Sequence, residues 1–164
     1  MFNVGDYVVY KRDVCVVTGY REKLINDIDY YTLVPVMDDT LKIDVPVNFS
    51  NIREVIDRDS ANRIIDNIVN VDVIAVNDKL IENEYKRLLS LGGYDELISI
   101  IKTTYLRNND RINNKKRISE KDNNYFNLAE KYLYSELAIA LDMSYDEVKE
   151  YVINRVSDIS KSNK

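Results

Sequence analysis

The residues of this chain with the most evident chemistry are cations. Between Lys102 and Arg117 stand six basic side chains, Lys102, Arg107, Arg111, Lys115, Lys116 and Arg117, against Asp110 alone. On a chain of net charge -5, such a window focuses positive potential on one face, which suits contact with phosphate oxygens. The alternative is a basic but merely solvated loop between two helices. Lys79, Lys86 and Arg87 are further candidates for phosphate contacts, which position a protein on nucleic acid without reading its sequence. Other chemistries have little to work with. The chain has no histidine, so the usual general acid or base at neutral pH and the usual partner of a Ser or Cys nucleophile are missing. A zinc site of standard composition cannot be built from one cysteine and no histidine. That cysteine, Cys15, lies in the run Val14-Cys15-Val16-Val17 and reads as a small buried hydrophobe. Gly92-Gly93 lacks the spacing and the lysine of a phosphate-cradling loop. The pair Asp38-Asp39 beside Thr40 reads as a solvated turn. The expectation is a non-enzymatic protein with no cofactor and no metal.

The elements that must position these cations fall into two halves. A chain of 164 residues, 45% apolar and 31% charged, can bury one ordinary core or two small ones. No apolar stretch approaches twenty residues and no charged-then-apolar leader follows Met1, so the expectation is a cytoplasmic protein without membrane contact. Phe2-Asn3-Val4-Gly5-Asp6-Tyr7-Val8-Val9-Tyr10, Asp29-Tyr30-Tyr31-Thr32-Leu33 and Leu41-Lys42-Ile43-Asp44-Val45-Pro46 are short Val, Ile and Tyr runs separated by Gly, Asp and Asn clusters. That pattern predicts a small twisted antiparallel sheet over residues 1–58. Leu41 to Val45 is the candidate docking strand, because Pro46 suits a strand end or an edge.

From residue 59 to 164 the apolar period lengthens and an all-helical domain is predicted, giving an α+β fold. Asp59-Ser60 is read as the cap of a first helix. A second runs from Lys79 to Leu91, with Tyr85 on its apolar side and Gly92-Gly93 ending it. Asp95 is expected to cap a third that carries Leu97, Ile98, Ile101 and Tyr105, and Asn108-Asn109-Asp110 and Asn113-Asn114 to break it. Ser119 with Asp122 and Ser144 with Glu147 have capping-box spacing for two more. Val71 to Val76 shows no pairing partner, and its conformation is left open.

The Gly5-Asp6 step before Val8-Val9-Tyr10, then Tyr30-Tyr31-Thr32-Leu33, then Ile43-Asp44-Val45-Pro46, resembles the amino-terminal module of the CarD family of bacterial transcription regulators. That module is also found in transcription-repair coupling factors. Ile118-Ser119 with Asp122, Ala129, and Ser135-Glu136-Leu137-Ala138-Ile139-Ala140 are similar to the family's carboxy-terminal Leu-Ser-x-x-Glu and Glu-Leu-Ala-hydrophobic-Ala motifs, in the right order. The resemblance implies a Tudor-like β module that grips the RNA polymerase β subunit and a helical bundle that lies on promoter DNA upstream of the melted bubble. Together the two stabilise the open complex. A monomer is expected.

Two departures accompany it. Family members carry a basic residue two positions before the proline; here that place is Asp44, with Lys42 one strand-face repeat earlier. Another polymerase-facing basic residue falls near Lys23. The polymerase set implied is Lys23, Lys42, Asp44 and Pro46. The family also implies a tryptophan wedge at the start of the helical domain, and this chain has no Trp. Its place falls near Lys79, and the nearest downstream aromatic is Tyr85, which either wedges DNA or belongs to the core beside Ile81 and Leu88. The DNA set is then Lys79, Tyr85, Lys86, Arg87, Arg111, Lys115, Lys116 and Arg117, with contact expected to be weak and largely nonspecific. The competing reading is a protein-interaction adaptor whose helical domain binds a protein.

Overall fold

The computed structural model describes residues 1–163. Five strands come first: β1 Tyr7–Tyr10, β2 Asp13–Ile25, β3 Ile28–Pro35, β4 Ile43–Pro46 and β5 Ile52–Glu54. They form one antiparallel sheet in the order β4-β3-β2-β1-β5, which leaves β4 and β5 at its edges. The Gly5-Asp6 step works through backbone geometry. Gly5 takes a φ of 95°, its N–H donates to the Val17 carbonyl, and the Val17 N–H donates to the Asp6 carbonyl. The long β2–β3 ribbon turns at Asn26-Asp27, both at positive φ, the conformation of a two-residue hairpin turn that Asn and Asp tolerate.

Alternation gives the sheet two working faces. Val8, Cys15, Val17, Tyr31, Leu33 and Val45 are buried together on one. Cys15 is inside as expected, and burial pushes its thiol up to about 11. On the other face Val9 and Val14 are paired across β1 and β2 and are buried too, and Val9 is opposite Arg53 of β5. Arg53 reaches the helical half, so this face is where the two halves meet.

Five helices follow: α1 Arg58–Asp66, α2 Ile81–Leu91, α3 Tyr94–Asn113, α4 Glu120–Leu141 and α5 Tyr145–Ser162. Their own core gathers Ile65, Ile81, Tyr85, Ile98, Leu133, Leu137 and Val148. No helix among the described residues is long and apolar enough to cross a membrane. The caps at Ser119 and Ser144 form as the spacing predicts, each hydroxyl accepting from the N–H three residues on. Gly92, at φ 69°, ends α2 in the left-handed region.

Three expectations need correcting. The cap of α1 is Asp57, whose carboxylate accepts from the Ser60 N–H at 2.7 Å, and not Asp59-Ser60. Gly93, not Asp95, precedes α3, and Asp95 sits in its first turn. Of the two breaks expected in α3, Asn113-Asn114 is where it ends, with Asn114 its C-cap, but Asn108-Asn109-Asp110 does not interrupt it. Turn-forming side chains were expected to compete with the helix, but Asn108 Oδ1 instead accepts from the Ser119 N–H at 2.8 Å. The basic window is therefore mostly helix. The segment left open, Val71 to Val76, has no regular structure and is pinned along α3. Ile74 N–H donates to Thr103 Oγ1 at 2.9 Å, and Ser99 Oγ donates to the Asp72 carbonyl at 2.8 Å.

Candidate functional site

At the sheet's edge, β4 pairs only with β3, from Leu33 opposite Ile43 to Tyr30 opposite Pro46. The Val47 N–H donates to the Asp29 carbonyl at 3.0 Å, and this sets the phase of the ladder. By alternation, Ile43 and Val45 bond inward, while the backbone N–H and C=O of Asp44 point away from the sheet. Pro46 has no N–H to offer. The Asp44 carboxylate is tied down: Oδ1 accepts from Thr32 Oγ1 at 2.8 Å, and Oδ2 lies 3.6 Å from the Arg21 guanidinium. Its charge is compensated on the sheet's face and its backbone is left free. Lys42 is exposed just before β4. Lys23 sits on the β2–β3 ribbon with a φ of 46°, its N–H donating to Asp29 Oδ1 at 3.0 Å. The same Asp29 accepts the Tyr20 hydroxyl, and both contacts hold its carboxyl below the ordinary carboxylate range. Asp29 thus brings Lys23 to the Pro46 end of β4, while Lys42 lies at the other end.

The predicted DNA set does not assemble as one surface. Tyr85 is a correction. It is 0% exposed, its hydroxyl donates to Asp122 Oδ1 at 2.9 Å, and it packs 4.9 Å from the Tyr125 ring. Burial first, and then the Asp122 charge, push its phenol well above the ordinary range. A ring in that position wedges nothing, because leaving it would strand a buried carboxylate. Lys86 and Arg87 are exposed but paired within α2, Lys86 with Glu82 at 3.8 Å and Arg87 with Glu84 at 2.5 and 3.1 Å. Lys79 is exposed in the turn before α2.

The basic window divides in the same way. Lys102 donates to the carbonyls of Ile68 and Val71, and Arg107 bridges Asp122 at 2.9 Å and Asp78 at 2.8 Å, so both hold the fold. Arg111, Lys115, Lys116 and Arg117 gather at the turn between α3 and α4. Among the described residues none of the four has a carboxylate partner. Arg111 Nε caps the turn by donating to the Arg117 carbonyl at 2.7 Å, and its guanidinium makes no salt bridge.

Sequence reasoning missed two features. Tyr105, expected on the packed face of α3, is 60% exposed, and with Leu106, Ile112 and Ile118 it mixes apolar surface into the cationic turn. The other is Glu136, only 3% exposed. It accepts Arg53 through both oxygens at 2.7 and 2.9 Å, the Ile56 N–H at 3.1 Å and the Tyr94 hydroxyl at 2.9 Å. One carboxylate so joins β5, the linker, α3 and α4. The signal was present as a single acid in the otherwise apolar run Leu137-Ala138-Ile139-Ala140. Comparison with known proteins adds nothing to this geometry: no protein-family model matches the chain, and no curated protein matches it.

Proposed function

We propose that this protein is a non-enzymatic transcription regulator of the CarD type, whose Tudor-like β module binds the RNA polymerase β subunit while the helical domain lies on upstream promoter DNA and modulates open-complex stability. The observation that supports the reading is the free backbone edge of β4, which carries the Ile-x-Val-Pro end of the Leu-x-Ile-x-Val-Pro pattern whose proline predicts an edge and whose Asp44 falls where the resemblance implies polymerase contact. Strand addition at such an edge draws affinity from backbone groups and choice from flanking side chains, here Lys42 and Lys23. The exposed cations of the α3–α4 turn are suited to phosphate. The Glu136 clamp fits a bridging role, because it ties the sheet half to the helical half. The protein acts as a monomer in the cytoplasm and needs no cofactor.

The test is capture of the cognate polymerase β lobe by the full chain. Lys42→Glu should weaken capture roughly tenfold, as expected when a charge at a partly buried rim is reversed. Capture unchanged by this variant and by Asp44→Pro, which removes the outward N–H, would reject the edge as the docking site.

A second reading is favoured by Tyr105, Leu106, Ile112 and Ile118, apolar side chains set among the cations of the turn. On this reading the helical domain is an adaptor that holds a protein partner. Salt-dependent binding of a promoter fork separates the two, since phosphate contacts lose affinity steeply as salt rises.

A further inference from the structure

A cavity of about 420 Å³ opens between α3, α4 and α5, remote from the β4 edge, with Tyr105 on its rim. Ile98, Ile101, Leu133, Val152 and Val156 supply its apolar wall. Its volume falls in the range of small-molecule pockets and is too small for a helix. Three charged side chains line it as well: Lys102, Glu130 and Lys149.

Their hydrogen bonding is incomplete in one sense only. Glu130, itself 7% exposed, accepts from the Lys149 ammonium at 2.7 Å and from the Tyr145 hydroxyl at 3.4 Å. Lys149 spends one of its three donors on that bond. Lys102 gives two donors to carbonyl oxygens, Ile68 at 2.9 Å and Val71 at 2.5 Å, and among the described residues it has no carboxylate partner. The lining thus carries two ammonium groups and one carboxylate. A net charge of one unit is left over, with N–H donors to spare, and a ligand anion complements it where a cation would be repelled.

We propose that this cavity binds a small amphipathic monocarboxylate, of the class of a medium-chain fatty acid, with its alkyl chain along Ile101, Leu133 and Val152 and its carboxylate at Lys102 and Lys149. A second copy of the chain is a poorer occupant. The strongly exposed apolar rim is Tyr105 and Ile153, two side chains, where a stable interface needs about 800 Å² from each partner.

Calorimetric titration of the full chain with sodium decanoate below its micellar concentration tests this, with decan-1-ol and decyltrimethylammonium as neutral and cationic probes of equal chain length. Saturable one-to-one binding of decanoate, at least tenfold tighter than the cationic probe, is the expected result. Lys102→Met should cost about tenfold in decanoate affinity and leave decan-1-ol binding nearly unchanged, with Lys102→Arg restoring it. Val156→Phe, which fills the cavity without touching a charge, should abolish binding of all three, and it decides the matter if Lys102→Met does not fold. Equal affinity for the three probes, non-saturable uptake, or decanoate binding that survives Val156→Phe overturns the proposal. So does a dimer, seen by sedimentation in the absence of ligand, that Val156→Phe disrupts while decanoate gives no heat.

Discussion

The joint between the sheet and the helices and the turn between α3 and α4 both concentrate charge, and they treat it oppositely. At the joint, Glu136 is buried and every contact it makes is a donor: a guanidinium, a phenol and a backbone N–H. Asp122, deeper in the helical half at 1% exposure, repeats the arrangement, its carboxylate accepting from the Arg107 guanidinium and the Tyr85 phenol. At the turn, Arg111, Lys115, Lys116 and Arg117 are exposed and make no salt bridge among the described residues. Burial explains the contrast. A charge removed from water must be met by donors or counter-charges, whereas a charge left in water has no need of them. The six cations of one sequence window thus divide into two bonded to other elements of the fold, Lys102 and Arg107, and four exposed ones that make no salt bridge.

The largest effect should come from the joint. Glu136→Ala strips Arg53, Tyr94 and the Ile56 N–H of their acceptor at once, and we expect a loss of about 3 kcal/mol in urea unfolding, tempered because Arg53 is half exposed and rehydrates. Glu136→Gln keeps one acceptor oxygen and should lose less. A Glu136→Ala protein as stable as the parent would break the contrast.

Tyr85 gives the next effect. Tyr85→Phe leaves Asp122 with Arg107 alone and should cost about 1 to 2 kcal/mol. Tyr85→Trp should cost about 1 to 3 kcal/mol by overpacking, and it should not lengthen open-complex lifetime, because the ring cannot reach DNA. A longer lifetime of heparin-resistant complexes with Tyr85→Trp would return position 85 to the DNA surface.

Alkaline pH sharpens the same point. Burial, and then the Glu136 charge, push the Tyr94 phenol up to about 12 from 10.0, and Tyr85 is raised by burial and Asp122. A phenol whose folded value is raised contributes stability that is whole below pH 10 and is lost as pH climbs toward the folded value. The urea midpoint should therefore fall between pH 10 and 12, and Tyr94→Phe should flatten that fall. An equal slope in the variant would place the alkaline sensitivity elsewhere.

The smallest effect on stability belongs to the turn. Reversing Lys115 and Lys116 to Glu should change unfolding by no more than about 0.5 kcal/mol. The same variant should lower the salt slope of promoter binding by roughly one per lost phosphate contact, while Lys86 and Arg87, held by Glu82 and Glu84, should contribute less than the turn. A slope moved by α2 and not by the turn would invert the assignment of free and committed cations.

Much of the scaffold was legible because it is local. The hydroxyls of Ser119 and Ser144 cap helices whose N–H groups lie three residues away, Gly92 ends α2 through its own φ, and Pro46 marks an edge strand because a proline has no N–H for a central ladder. Cys15 is buried because the alternation of its own strand puts it there. Each of these follows from a residue and its near neighbours in the chain.

What the sequence left open, tertiary structure decided. Ile81, Tyr85 and Leu88 share one face of α2 whether that face meets a core or DNA, and the choice rests on Asp122, thirty-seven residues on. Asn108 breaks or continues α3 according to whether the Ser119 N–H comes within its reach. A lysine or arginine counts as free charge only when the folded chain brings no acid into contact with it, and for Arg107 that acid comes from another helix. Hydrogen-bond partners and counter-charges act over about 3 Å in space and without regard to separation in sequence, so they belong to the fold and not to the local pattern.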